Sequence, residues 1–210
     1  MKKTLIYGLL LIFLMPSCRK GDEDPFLSLR TRKNRLTGNW KLESYEVSKS
    51  FGSVRSIKYD KEANEIEYIY EDSTAEVRSY SRFMEFSNNG SYTITEEERF
   101  SVDTVEVPFS YTLNSTEKGD WEFTGGNGEP SKSQLLLLPR EINRSRSNEG
   151  SNVEVTIIEG PVNGELFSID RLSNKELKLS YELIKRLAFN EEIESLEMTF
   201  VKSEDGVDSD

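Results

Sequence analysis

The 210-residue chain has no histidine and a single cysteine, Cys18. Without imidazole there is no Ser-His relay, no histidine general base and no His-containing zinc site. A lone cysteine cannot close an internal disulfide. Positive charge is also short, with 27 Lys and Arg against 38 Asp and Glu and a net charge of −11. Such a surface repels nucleic acid and anionic headgroups, so no nucleic-acid partner is expected. Internal repeats are missing. Carboxylates are plentiful, but Glu96-Glu97-Glu98 with Asp103 shows no acid-base spacing, so a solvated rim is the reading preferred to a carboxylate-pair glycosidase. Asp205-Gly206-Val207-Asp208-Ser209-Asp210 has a calcium-like composition but neither the loop spacing nor the closing Glu of such a site. No metal, no cofactor and no enzymatic activity are expected.

What is present begins with an address. Lys2 and Lys3 precede an apolar run from Leu5 to Met15 that is short for a bilayer span, the pattern of a secretory signal peptide over residues 1–17. Cys18 follows Met15-Pro16-Ser17 and resembles the lipobox cysteine of bacterial lipoproteins. That resemblance implies that Cys18 is the acylated N-terminus of the mature chain, carrying palmitate-class acyl chains. Removing residues 1–17 takes away two lysines and no acid, leaving 25 basic and 38 acidic residues and a net charge of −13. The membrane is then held by lipid rather than by charge. Residues 18–24 read as a lipidated tether. The acids Asp22-Glu23-Asp24 are similar to the signal that sends some Gram-negative lipoproteins to the outer face of the outer membrane.

Asp24-Pro25 supplies an N-cap and a first-turn proline. Phe26, Leu29, Lys33 and Leu36 follow at helical spacing, which predicts a short amphipathic helix that plugs one end of the fold. From Trp40 onward the period is two. Val105, Val107, Phe109, Tyr111 and Leu113 alternate with polar residues for a full strand. Asn89-Gly90, between Met84-x-Phe86 and Tyr92-x-Ile94, is a hairpin signal. Trp121 and Phe123 come after Lys118-Gly119-Asp120, and Leu135 to Leu138 reads as a strand buried on both faces or with a lipid-like neighbour on one. Apolar alternation then recurs at Val153 to Ile157, Phe167 and Ile169, Leu177 to Leu183, and Leu196 to Phe200, with turn residues between.

Gly38-x-Trp40 at the start of a first strand, ahead of this antiparallel series, resembles the lipocalin-like families. The resemblance implies an all-β, antiparallel up-and-down barrel of about 8–10 strands over residues 25–203. It implies Gly38 and Trp40 as the barrel-floor motif, and Lys202 as the cation that packs over the indole. Val54 to Tyr70 reads as an inserted hairpin, and residues 204–210 as a solvated acidic tail. The exposed faces are charged, so membrane-spanning strands are not expected. The expected protein is a lipid-anchored lipoprotein of the Gram-negative outer membrane that binds, without turnover, a small hydrophobic or amphipathic molecule or a protein partner. The alternative is a solidly packed barrel that docks on another envelope protein.

One interior site suggests itself. The parity that buries Met84 and Phe86 also turns Tyr80 and Arg82 inward. A guanidinium there needs an acid such as Glu122, the open mouth of the barrel or an anionic ligand, unless a β-bulge turns Arg82 outside. In the ligand case a carboxylate headgroup meets Tyr80 and Arg82, and its apolar tail lies along Phe109, Tyr111 and Trp121.

Overall fold

Alternating inward and outward side chains build a closed wall. The computed structural model describes residues 31–50, 52–102, 109–125, 133–148, 153–160, 164–186 and 191–203. Among the described residues a short helix, α1 (Arg32–Leu36), precedes eleven strands. These are β1 (Gly38–Lys49), β2 (Val54–Asp60), β3 (Glu65–Tyr70), β4 (Ala75–Phe86), β5 (Ser91–Val102), β6 (Phe109–Thr124), β7 (Gln134–Asn148), β8 (Val153–Glu159), β9 (Glu165–Leu172), β10 (Glu176–Arg186) and β11 (Glu191–Ser203). All pairings are antiparallel. Strands mostly neighbour their successors, and the seams β1–β11 and β6–β7 close the sheet into an up-and-down barrel.

The circumference differs between the two ends. Near α1, β1 pairs directly with β4, Gly38–Lys41 against Phe83–Phe86. Farther along, the β2–β3 hairpin wedges between them, where the sequence predicts an insertion. Beyond the α1 end, β7 exchanges β9 for β8 along the same edge. The α1 end is therefore an eight-strand ring, a size that side chains can fill.

Large apolar side chains do fill it. Leu36, Trp40, Phe86, Leu135, Leu177 and Phe200 are all fully buried. Thr31 caps α1 by accepting from the Asn34 amide at 3.2 Å. The helix thus plugs the floor as expected, although the Asp24-Pro25 start lies outside the described residues. The Trp40 indole N–H donates to the Leu36 carbonyl at 2.6 Å, tying the first strand to the plug. Lys202 lies over the indole with Nζ 5.0 Å from the ring centroid, and donates to the carbonyls of Arg35 and Thr37 at 3.0 and 2.6 Å. Gly38 is required twice over. Its φ is +119°, and a Cβ there would come within 2.8 Å of Lys202 Cε.

Gly119 does not end a strand. β6 runs unbroken from Phe109 to Thr124, so Trp121 belongs to the same strand as Tyr111. The register slips at Lys118/Gly119 because β7 approaches so closely there that a Cβ would meet the Leu138 carbonyl oxygen. Leu135 and Leu137 face the core, while Leu138 stands 38% exposed on the outside, so this segment is buried on one face rather than both. Val105 and Val107 lie outside the described residues.

Candidate functional site

Beyond the floor the interior turns polar, and the ladder registers explain how. Arg82 on β4, Glu96 on β5, Ser115 on β6 and Arg144 on β7 are successive cross-strand partners, so they form one inward row. The row below it runs Met84, Ile94, Glu117 and Ile142. The first row, with Ile94 and Glu117 of the second and with Tyr45, Glu165, Tyr181, Leu196 and Met198, lines a cavity of about 220 Å³.

Arg82 does point inward, and it meets an acid. Its guanidinium lies 3.1 Å from Glu96, with side-chain exposures of 14% and 32%. Tyr80 donates its hydroxyl to the same carboxylate at 2.9 Å. Burial opposes the charge on Arg82, but Glu96 and then Tyr80 and Tyr45 outweigh it and hold the guanidinium pKa above its ordinary value. The acid suggested by sequence, Glu122, stands exposed on the outer face instead. Glu96 and Glu98, read as a solvated rim, share inward parity with Tyr92 and Ile94 and take part in half-buried ion pairs. The correction follows from the period: in a strand, one Glu of three consecutive ones must face opposite to its neighbours.

Tyrosine–glutamate contacts recur along this lining. Tyr92 donates to Glu117 at 2.6 Å and Tyr181 to Glu194 at 2.8 Å, while Tyr68 donates to Glu98 at 3.1 Å. Burial first, with the carboxylate adding, raises these phenol pKa values, so the hydroxyls stay protonated donors. Nearer the wide end, Arg78 bridges Glu76 and Glu98 and stacks 4.5 Å over Tyr68. Arg146 stacks 4.5 Å over Tyr111.

The five residues nominated for ligand binding are thus only partly assembled. Tyr80 and Arg82 line the interior beside Glu96. Trp121 packs in the floor against Phe86, with ring centroids 5.9 Å apart, and gives its indole N–H to the Ser87 carbonyl. Tyr111 sits ten residues away along β6, roughly 33 Å at strand rise. The Phe109 side chain and Cys18 lie outside the described residues. No family model matches this chain, and no curated protein is significantly similar to it. The cavity's remaining polar groups, Glu117, Arg144, Glu165, Ser115 and Tyr45, were not singled out from sequence. Glu117 could have been, because it shares parity with Leu113 and Trp121; Arg144 and Glu165 needed the closing registers.

Glu165 is disfavoured as a carboxylate by this arrangement, even though the residue keeps exposed surface. Burial of its carboxyl first, then Glu117 and Glu96, raise its pKa above the ordinary value, with Arg82 opposing. Arg144, Tyr45 and Tyr181 line the same cavity. A raised folded-state pKa means the folded chain binds the proton more tightly than the unfolded one. Stability therefore falls as pH climbs from the ordinary carboxylate range through the raised value. Glu165→Gln is expected to raise the thermal midpoint at pH 7, with the gain vanishing below about pH 4, where both states hold the proton. Melting curves at the two pH values check this, and an unchanged midpoint at pH 7 would refute it.

Proposed function

We propose that this protein is a lipid-anchored protein of the bacterial outer membrane whose barrel holds a small molecule without chemical turnover. The observation that carries the reading is the 220 Å³ cavity, walled by charged and hydroxyl groups above a solid apolar floor. Small-molecule sites place a few polar groups convergently in a concave space, and this one does so. The Gly38-x-Trp40 floor with Lys202 over the indole supports the resemblance to lipocalin-like lipoproteins. Native mass spectrometry of protein released gently from the producing cell tests the reading. A small-molecule adduct that is lost on denaturation is expected, and a bare polypeptide mass beyond the acyl chains would overturn it.

The anchor has its own test. Cys18→Ala is expected to move the protein from the membrane fraction to the soluble fraction, because the mature chain is too acidic to hold a membrane by charge. Continued sedimentation of the variant with membranes would place the anchor elsewhere. A second reading, docking on another envelope protein, is favoured by the apolar side chains left outside the barrel. Val155 and Ile157 are each 59% exposed, and Leu166 and Ile184 exceed 45%.

A further inference from the structure

Resting on the proposed binding role, we infer that the cavity takes a small zwitterion with the charge pattern of a free α-amino acid. Its ammonium sits between Glu117 and Glu165, and its carboxylate meets Arg144 and Ser115, with the Nε–H of Arg82 as a further donor.

The lining holds charges of both signs that have no partner within the protein. Among the described residues, the side chains of Glu165 and Arg144 have no hydrogen bond or ion pair with the protein; both residues keep exposed surface, and both line the same cavity. Arg82 is engaged by Glu96 through one terminal nitrogen, but its Nε is buried without an acceptor. A buried donor left unmade costs free energy that an incoming acceptor recovers. Glu117 and Glu165 line the same cavity, where the charge on Glu117 adds to burial in raising the Glu165 pKa and Arg82 opposes it. An ammonium group is the species that relieves this repulsion while donating to both.

Other ligand classes fit less well. An amphipathic carboxylate would face three glutamates against two arginines, one of them already paired, and its tail would find Trp121 and Tyr111 at distant levels of the barrel. A metal ion would need ligands that converge, and no such group of acids occurs among the described residues. The volume corresponds to roughly seven waters at about 30 Å³ each, the scale of one small polar molecule. Ser115, the cross-strand neighbour of both Glu96 and Arg144, places a hydroxyl between the cationic and acidic parts of the row. Ile94, Leu196 and Met198 give the apolar part of a side chain something to rest on.

Calorimetric titration of the full chain with L-serine, L-glutamine and L-leucine tests the inference, with ethanolamine, propionate and glucose as single-feature controls. Saturable binding of at least one amino acid is expected, with ethanolamine and propionate at least tenfold weaker. Arg144→Met and Glu165→Gln should each weaken that binding at least tenfold. Glu165→Gln should do so while melting above the wild type, which separates lost recognition from lost folding. Absence of saturable amino-acid binding, equal binding of propionate or ethanolamine, or undiminished binding by both variants overturns the inference. If native spectra carry an adduct while no zwitterion binds, the ligand class fails and the binding role stands. If neither is seen, both fail.

Discussion

Trp40→Ala is expected to cost roughly 3 to 5 kcal/mol of folding stability, the range for removing a fully enclosed indole from a close-packed core. The side chain is completely buried, and it is more than volume. Its N–H satisfies the last-turn carbonyl of Leu36, and its face receives Lys202, whose ammonium in turn binds the carbonyls of Arg35 and Thr37. Truncation therefore leaves a cavity, an orphaned helix-end carbonyl and a cation without its ring. Trp40→Phe keeps much of the volume and loses the hydrogen bond, so it should fall between the two. Equilibrium denaturation, with an unchanged dependence on denaturant, reads the difference. A loss below about 1 kcal/mol for the alanine variant would mean the floor is not closed by this residue.

The floor was legible in sequence because it is written locally. Gly38-x-Trp40, the Asn89-Gly90 hairpin and the alternation on β4, β5 and β10 each lie within a dozen residues, and each falls where its pattern predicts. The inserted β2–β3 hairpin was equally local. What escaped was written across strands. Nothing near Gly119 says that β7 will press on it, so a residue that permits close approach looks like one that permits a turn. Likewise Glu165 is an ordinary acid until β9 continues the edge that β8 leaves on β7. The row Arg82, Glu96, Ser115, Arg144 spans more than sixty residues of chain, and only the ladders make it one feature. Parity does show which residues face inward, but it does not show which of them meet.

That row supplies the second large effect. Glu96→Gln is expected to cost roughly 2 to 4 kcal/mol, somewhat less than severing a wholly enclosed ion pair because the cavity side of Glu96 is open. The amide keeps the shape and can still accept from Tyr80, so the loss reports the charge that Arg82 no longer meets. The reciprocal change should be milder. Arg82→Met removes the more deeply buried partner and leaves an acid that is 32% exposed, which water in the cavity can solvate. A cost of about 1 to 2 kcal/mol is expected, in the range of a net loss of one charged hydrogen bond. Combining the two should recover part of the Glu96→Gln penalty, since no buried charge is then left alone. Urea unfolding of the three variants closes the cycle. If Arg82→Met proves the costlier single change, or if both fall under about 0.5 kcal/mol as surface pairs do, the pair is solvated rather than enclosed and the cavity is open water.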